Sequence, residues 1–162
     1  MSDDPGSNEK FHKSLALYTV LASRPTTDSH TRLVCLAKKA SLLDMHPSIR
    51  TFDTTCSKLR QEDAKTLLPS ASFGALLVDR VTTTHDLAVA YKESGDAINA
   101  SAAYDRAVQL MQELPKELLK IDEKPISFAD MLAEWADVEQ SLGRTTKASK
   151  IRDRSSKERQ NI

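Results

Sequence analysis

Most of what this sequence lacks is chemistry. Four glycines, at 6, 74, 95 and 143, stand alone, so neither a GxGxxG turn nor a Walker-type phosphate loop can form. There is no GxSxG elbow and no HExxH. The two cysteines, Cys35 and Cys56, form no CxxC pair and have no histidine at ligand spacing, which points away from zinc and from a disulfide framework. Both are expected as small buried groups. His12, His30, His46 and His85 fall on separate elements and read as surface or internally satisfied histidines. Acid pairs such as Asp122-Glu123, and Glu134 with Asp137, read equally well as solvated helix faces. The expectation is a protein that is not an enzyme and needs no cofactor or metal.

Net charge is also absent: 23 basic side chains balance 23 acidic ones over 162 residues. No global field would draw the chain to nucleic acid or an anionic membrane. No apolar run approaches the length of a membrane span, and the start, MSDDPGSNEK, is acidic where a signal peptide would be basic. An intracellular protein, cytoplasmic or nuclear, is the corresponding expectation. Aromatics are scarce at 5%, and Ala, Leu, Lys, Glu, Asp and Ser dominate, which favours helix over sheet.

What is present is helical periodicity. In LAVAYKESGDAINASAAYDRAVQLMQELP, residues 87–115, Leu87, Ala88, Ala90 and Tyr91 share one face of a first helix. Gly95 can end that helix at positive φ, and Asp96 can cap the next. Ala97, Ala100, Tyr104, Ala107 and Met111 then recur every three or four residues. Leu87, Ala88, Tyr91, Gly95, Ala100, Tyr104 and Ala107 resemble a tetratricopeptide repeat, with large, small and aromatic residues in the first helix and small, aromatic, small in the second. The match covers about one repeat well.

Weaker echoes flank it. Phe11, Leu15, Tyr18, Leu21 and Ala22 line a helix from Glu9 that stops at Ser23-Arg-Pro25, and residues 1–8 read as a disordered tail. Ser14, Tyr18 and Leu21 resemble the marked positions of a second repeat helix, Leu21 departing from the usual alanine. Asp28 or Ser29 can cap a helix carrying Leu33, Leu36, Ala37, Ala40 and Leu43. Pro47 can open another with Ile49, Phe52, Cys56 and Leu59 on one face, in which Ser48, Phe52 and Thr55 occupy the marked positions. A short helix is expected over Gln61 to Leu68. Thr82-Thr-Thr84 weakens but does not break one long helix from Ala71 to Ser94. After an acidic connector, Phe128, Leu132, Trp135, Ala136 and Val138 form a helix, Leu142-Gly143 turns it, and Ala148 and Ile151 anchor a last helix. Arg152 and Ser155 stand where that repeat pattern wants an aromatic and a small residue, as a polar capping helix would. The fold class is therefore all-α: about seven helices in stacked antiparallel hairpins, one domain over residues 9–159.

The resemblance implies a non-catalytic adaptor or scaffold that binds a peptide or helix of another protein in a groove. By the matching positions, that groove is lined by His30, Leu33, Ala37, Thr82, His85, Val89, Asp130, Ala133 and Asp137. An alternative is kept open, because the AxxxY and AxxA spacing of Ala100, Tyr104 and Ala107 is also similar to microtubule-interacting-and-trafficking domains. That three-helix module, over residues 71–142, would bind helical tails of membrane-trafficking proteins. A third reading is weak nucleic-acid binding through a basic patch at Lys147, Lys150, Arg154 and Lys157, against which stand the absence of interleaved aromatics and the plain alternative of a solvated helix. Trp135 reads as core rather than as a partner anchor. The first helix lacks a preceding partner, so its free flank is expected to meet either a second chain, as a homo-oligomer or larger complex, or the folded-back segment 71–94.

Overall fold

The computed structural model describes residues 5–58, 70–115, 118 and 127–161, and among these the chain is all-helical. The helices are α1 (Pro5–Ser23), α2 (Ser29–Met45), α3 (Pro47–Lys58), α4 (Ala71–Glu93), α5 (Ala97–Glu113), α6 (Phe128–Ser141) and α7 (Thr145–Gln160). The side chain of Cys56, Leu59, the helix expected over Gln61 to Leu68 and most of the acidic connector lie outside the described residues.

Local chemistry sets the boundaries. α1 starts at Pro5, four residues before the start expected at Glu9, because proline's fixed φ suits a first helical turn and its missing N–H costs nothing there. Asp28 caps α2 by accepting from the Thr31 amide at 2.9 Å. Ser70 and Ser127 do the same for α4 and α6. His46, between α2 and Pro47, is extended at φ −61°, ψ 130°, as a residue before proline should be. The threonine run does not interrupt α4: Thr82 and Thr84 donate back to the carbonyls of Val78 and Arg80.

Two turns are built alike. Gly95 at φ 82° and Gly143 at φ 74° end α4 and α6. In each, the glycine amide reaches back to the second-last carbonyl (Lys92, Gln140) and the next amide to the third-last (Tyr91, Glu139), at 2.9–3.1 Å. This is the left-handed glycine closure that satisfies free helix carbonyls. It fixes α4–α5 and α6–α7 as antiparallel hairpins.

Packing follows chain order. α1 packs on α2, α2 on α3 and α4, α4 on α5, α5 on α6 and α6 on α7. The continuous apolar core runs from Ile49 and Phe52 of α3 through Leu77 and Val81, Ala100, Tyr104 and Ala107, and Leu132 and Trp135, to Ile151 of α7. Trp135 is core, as its spacing implies, and Cys35 is a buried free thiol. The α2–α4 seam differs in kind. Besides the buried Cys35, Leu36 and Leu43, it carries Lys39 to Asp79 at 2.8 Å and Arg80 to Asp44 at 2.8 Å, while Arg80 also grips both oxygens of Asp53 on α3.

α1 is the least covered helix. Phe11, Leu15, Tyr18 and Leu21 are only half-buried, Leu17 and Val20 are 57% and 48% exposed, and α4 packs on α2 and α5 in preference to α1.

Ala100 is completely buried and Ala102 is exposed. Ala100→Phe should therefore overpack the α4–α5 contact and cost about 1–3 kcal/mol, while Ala102→Phe should be nearly silent. Urea denaturation of both variants checks this. Equal stability would place the wrong face inside.

Candidate functional site

Where α4 and α6 converge over α5, three side chains from three helices meet. Tyr104 of α5 lies fully buried, and its hydroxyl donates to Glu134 Oε2 of α6 at 2.9 Å. His85 of α4 brings Nε2 to the same oxygen, also at 2.9 Å, and sets its ring edge-on to Tyr104 with centroids 5.9 Å apart. The other ring nitrogen of His85 faces Asp86, 3.8 Å away. Helical spacing explains the geometry: His85 and Val89, four apart, share one flank of α4, and Ala133 and Glu134, four and three before Asp137, share one flank of α6.

The environment is negative. Burial opposes charge on His85, yet the carboxylates of Asp86 and Glu134 outweigh it and raise its pKa above the ordinary 6.5. Burial first, then the bond to Glu134 and the charges of Glu134, Glu93 and Asp137, push the Tyr104 hydroxyl well above its ordinary range. Tyr104 is thus a neutral, fixed donor. His85 is an internally satisfied histidine, and Glu134 is its partner; the sequence pattern had set Glu134 in an acid pair with Asp137 that reads equally well as a solvated helix face.

The residues expected to line a groove divide into three sets. Thr82 and Val89 are partly exposed on α4 and Ala133 on α6, with Val89 packed against the core; His85 is largely buried, 12% exposed at its side chain, and its bond to Glu134 joins the two helices. Asp130 and Asp137 are exposed on α6 but already engaged by α7, through Arg159 at 2.9 Å and Arg152 at 3.1 Å. Arg152, standing where the repeat pattern wants an aromatic, is thus an ion-pair partner. His30, Leu33 and Ala37 are on α2 with His30 exposed, and no hydrogen bond or ion pair among the described residues links them to the other two sets. On a wheel of about 100° per residue, His30 and Ala37 lie far round α2 from Lys39, which faces α4.

The basic residues of α7 also divide. Lys147 pairs with Glu139 at 3.2 Å and sits 5.0 Å from the Trp135 ring centroid. Arg154 lies 5.2 Å over Phe128. These two hold α7 to α6, whereas Lys150 and Lys157 are exposed. Pattern reading missed the group beneath them. Glu139 of α6 is fully buried and accepts from Ser101 Oγ and, at 3.0 Å, from Trp135 Nε1. The available signal was spacing: Glu139 follows Trp135 by one helical turn.

The geometry defines a class only: an all-helical protein of stacked antiparallel hairpins. No family model, curated protein or solved structure matches the chain. Among the described residues no helix is long and apolar enough to cross a membrane, and no three His, Cys, Asp or Glu side chains are grouped to hold a metal.

Proposed function

We propose that this chain is a non-catalytic protein-interaction adaptor or scaffold, tetratricopeptide-like in its hairpins, whose α4–α6 cleft receives a peptide or helix of another protein. The observation that carries this reading is the α4–α6 junction: His85 bonds to Glu134 across it, the carboxylates of Asp86 and Glu134 flank that histidine, and Val89 and Ala133 stand partly exposed on the two helices. Such a surface suits an amphipathic segment with apolar anchors and flanking basic side chains. The packing of α2 on α4 and of α7 on α6 supports an extended array over a separate three-helix module spanning 71–142. The flank of α1 bearing Leu17 and Val20 is a second contact surface in the same proposal, for another copy or a larger assembly.

A photo-crosslinking side chain at Val89 or Ala133 in the full chain should capture one partner, and Val89→Glu should abolish that capture while leaving the melting temperature within a few degrees. Capture from α7 or α1 alone would move the binding face. Asp137→Lys should weaken binding too. Its loss in stability should stay within about 1 kcal/mol, because the pair with Arg152 is exposed on both sides.

A further inference from the structure

His85, Tyr104 and Glu134 join two hairpins that otherwise meet through α5 and α6. α4 and α6 each pack on α5, and the bond from His85 Nε2 to Glu134 Oε2 is a direct polar link from α4 to α6. We propose that this link is a proton-operated clasp, in which the charge state of His85 sets how firmly hairpin α4–α5 is held to hairpin α6–α7.

The chemistry follows from the count of protons on the ring. Imidazolium carries N–H on both nitrogens, so one donates to Glu134 across the seam while the other faces Asp86 on the same helix. Neutral imidazole has one. If it stays on Nε2, the lone pair of Nδ1 turns toward the Asp86 carboxylate; if it moves to Nδ1, the lone pair of Nε2 meets Glu134 Oε2. Either tautomer loses the ionic attraction, and Tyr104 remains as the neutral donor to Glu134. The charged groups acting on the ring are Asp86 from α4 and Glu134 from α6; Glu93 of α4 and Asp137 of α6, the latter held by Arg152 of α7, act on the neighbouring Tyr104 hydroxyl. Tyr104 of α5 contributes no charge.

The direction with pH is determined. A histidine whose folded pKa lies above its unfolded value stabilises the fold fully below about 6.5, and that contribution fades as pH rises through the folded pKa. The clasp is closed in mild acid and released toward alkaline pH, when the hairpins are left to pivot on the α5–α6 packing. Its effect on partner binding rests on the cleft reading above; the clasp itself does not.

The full chain, without partner, tests it. Ring-proton NMR should show His85, assigned by its absence in His85→Gln, titrating above 6.5, with the midpoint lowered in Glu134→Gln. Urea midpoints measured from about pH 5.5 to 9 should show wild type exceeding His85→Gln in acid, with the gap closing as pH rises. Spin labels on non-natural side chains at exposed Ile98 and Lys150 should give a distance distribution that broadens with pH in wild type and is constant in His85→Gln. Titration of His85 at or below 6.5, a gap that is the same at every pH, or a distribution indifferent to pH would each overturn the clasp. If His85→Gln does not fold, the His85 ring is assigned through its backbone resonances, and wild type and Glu134→Gln decide by the NMR midpoints.

Discussion

Glu139→Ala should be the most damaging single substitution on α6, with an expected loss of about 3–5 kcal/mol. The carboxylate is fully buried, yet four donors converge on it: Ser101 from α5, Trp135 one turn earlier, and Arg144 and Lys147 from the turn and first turn of α7. Alanine would leave a cavity, the buried Ser101 Oγ without its acceptor, and Trp135 Nε1 with a long 3.5 Å approach to Ser101 Oγ in place of its bond to Glu139. The two cations would suffer less, being half-exposed. Glu139→Gln keeps an acceptor of the same shape and should recover part of the loss. Acid provides the second signature. Burial alone would raise the Glu139 pKa, but the bonds from Ser101, Lys147 and Arg144 outweigh it and hold it below the ordinary 4.5. A carboxylate with a depressed folded pKa stabilises fully above its unfolded pKa, and that contribution is lost as pH falls through the folded value. Wild type should therefore lose more stability than Glu139→Gln on acidification below about pH 4.5. Urea denaturation at neutral and acid pH measures both effects, and an unchanged Glu139→Ala midpoint would contradict the network.

Arg80→Ala should cost about 2–4 kcal/mol, under the range for a wholly buried pair because Asp44 and Asp53 keep partial access to water. Arg80 is 3% exposed at the side chain and is the cation on which α2, α3 and α4 converge. It also lines a cavity of about 10 Å³ with Phe52, Leu77, Leu110 and Glu113. Burial, then the charge of Asp53, already raise the Glu113 pKa, while Arg106 and Arg80 restrain it. Without Arg80, Glu113 loses one of the two cations that restrain it, and its pKa moves further above the ordinary value. A raised carboxylate destabilises above its unfolded pKa, so the gap between wild type and variant should widen from pH 4 to pH 7. Arg80→Met restores volume without charge and should recover only the cavity share. A gap that narrows with pH would refute the carboxylate account.

Much of the fold was legible in residue order. Helix periodicity, the caps at Asp28 and Asp96, the prolines at 25, 47 and 115 and the glycines at 95 and 143 act through neighbours a few residues away, so their consequences are local and readable. The threonine run was legible too, since β-branching costs too little to break a helix packed on both sides. α1 begins earlier than apolar periodicity indicates because residues 6–10 are exposed, and that periodicity has no signal where only backbone preference acts. In the candidate site, position on the helix gave no sign that His85 is largely buried against Glu134, a partner 49 residues away. Nor did it show the engagement of Asp130 and Asp137 by α7, because an exposed acid looks the same in sequence with or without an arginine opposite it.

The sequence by itself determined an all-helical chain, its turns and the inward faces of α4, α5 and α6, because those depend on backbone preference and on a period of 3.6 residues. Only the tertiary structure decided which polar groups meet: His85 with Glu134 over Tyr104, Arg80 with Asp44 and Asp53, and Glu139 with Ser101, Trp135 and the start of α7. Most of these partners are separated by tens of residues along the chain, and burial makes their pairing specific. That specificity arises from desolvation, which penalises each of these groups unless its partner is in place.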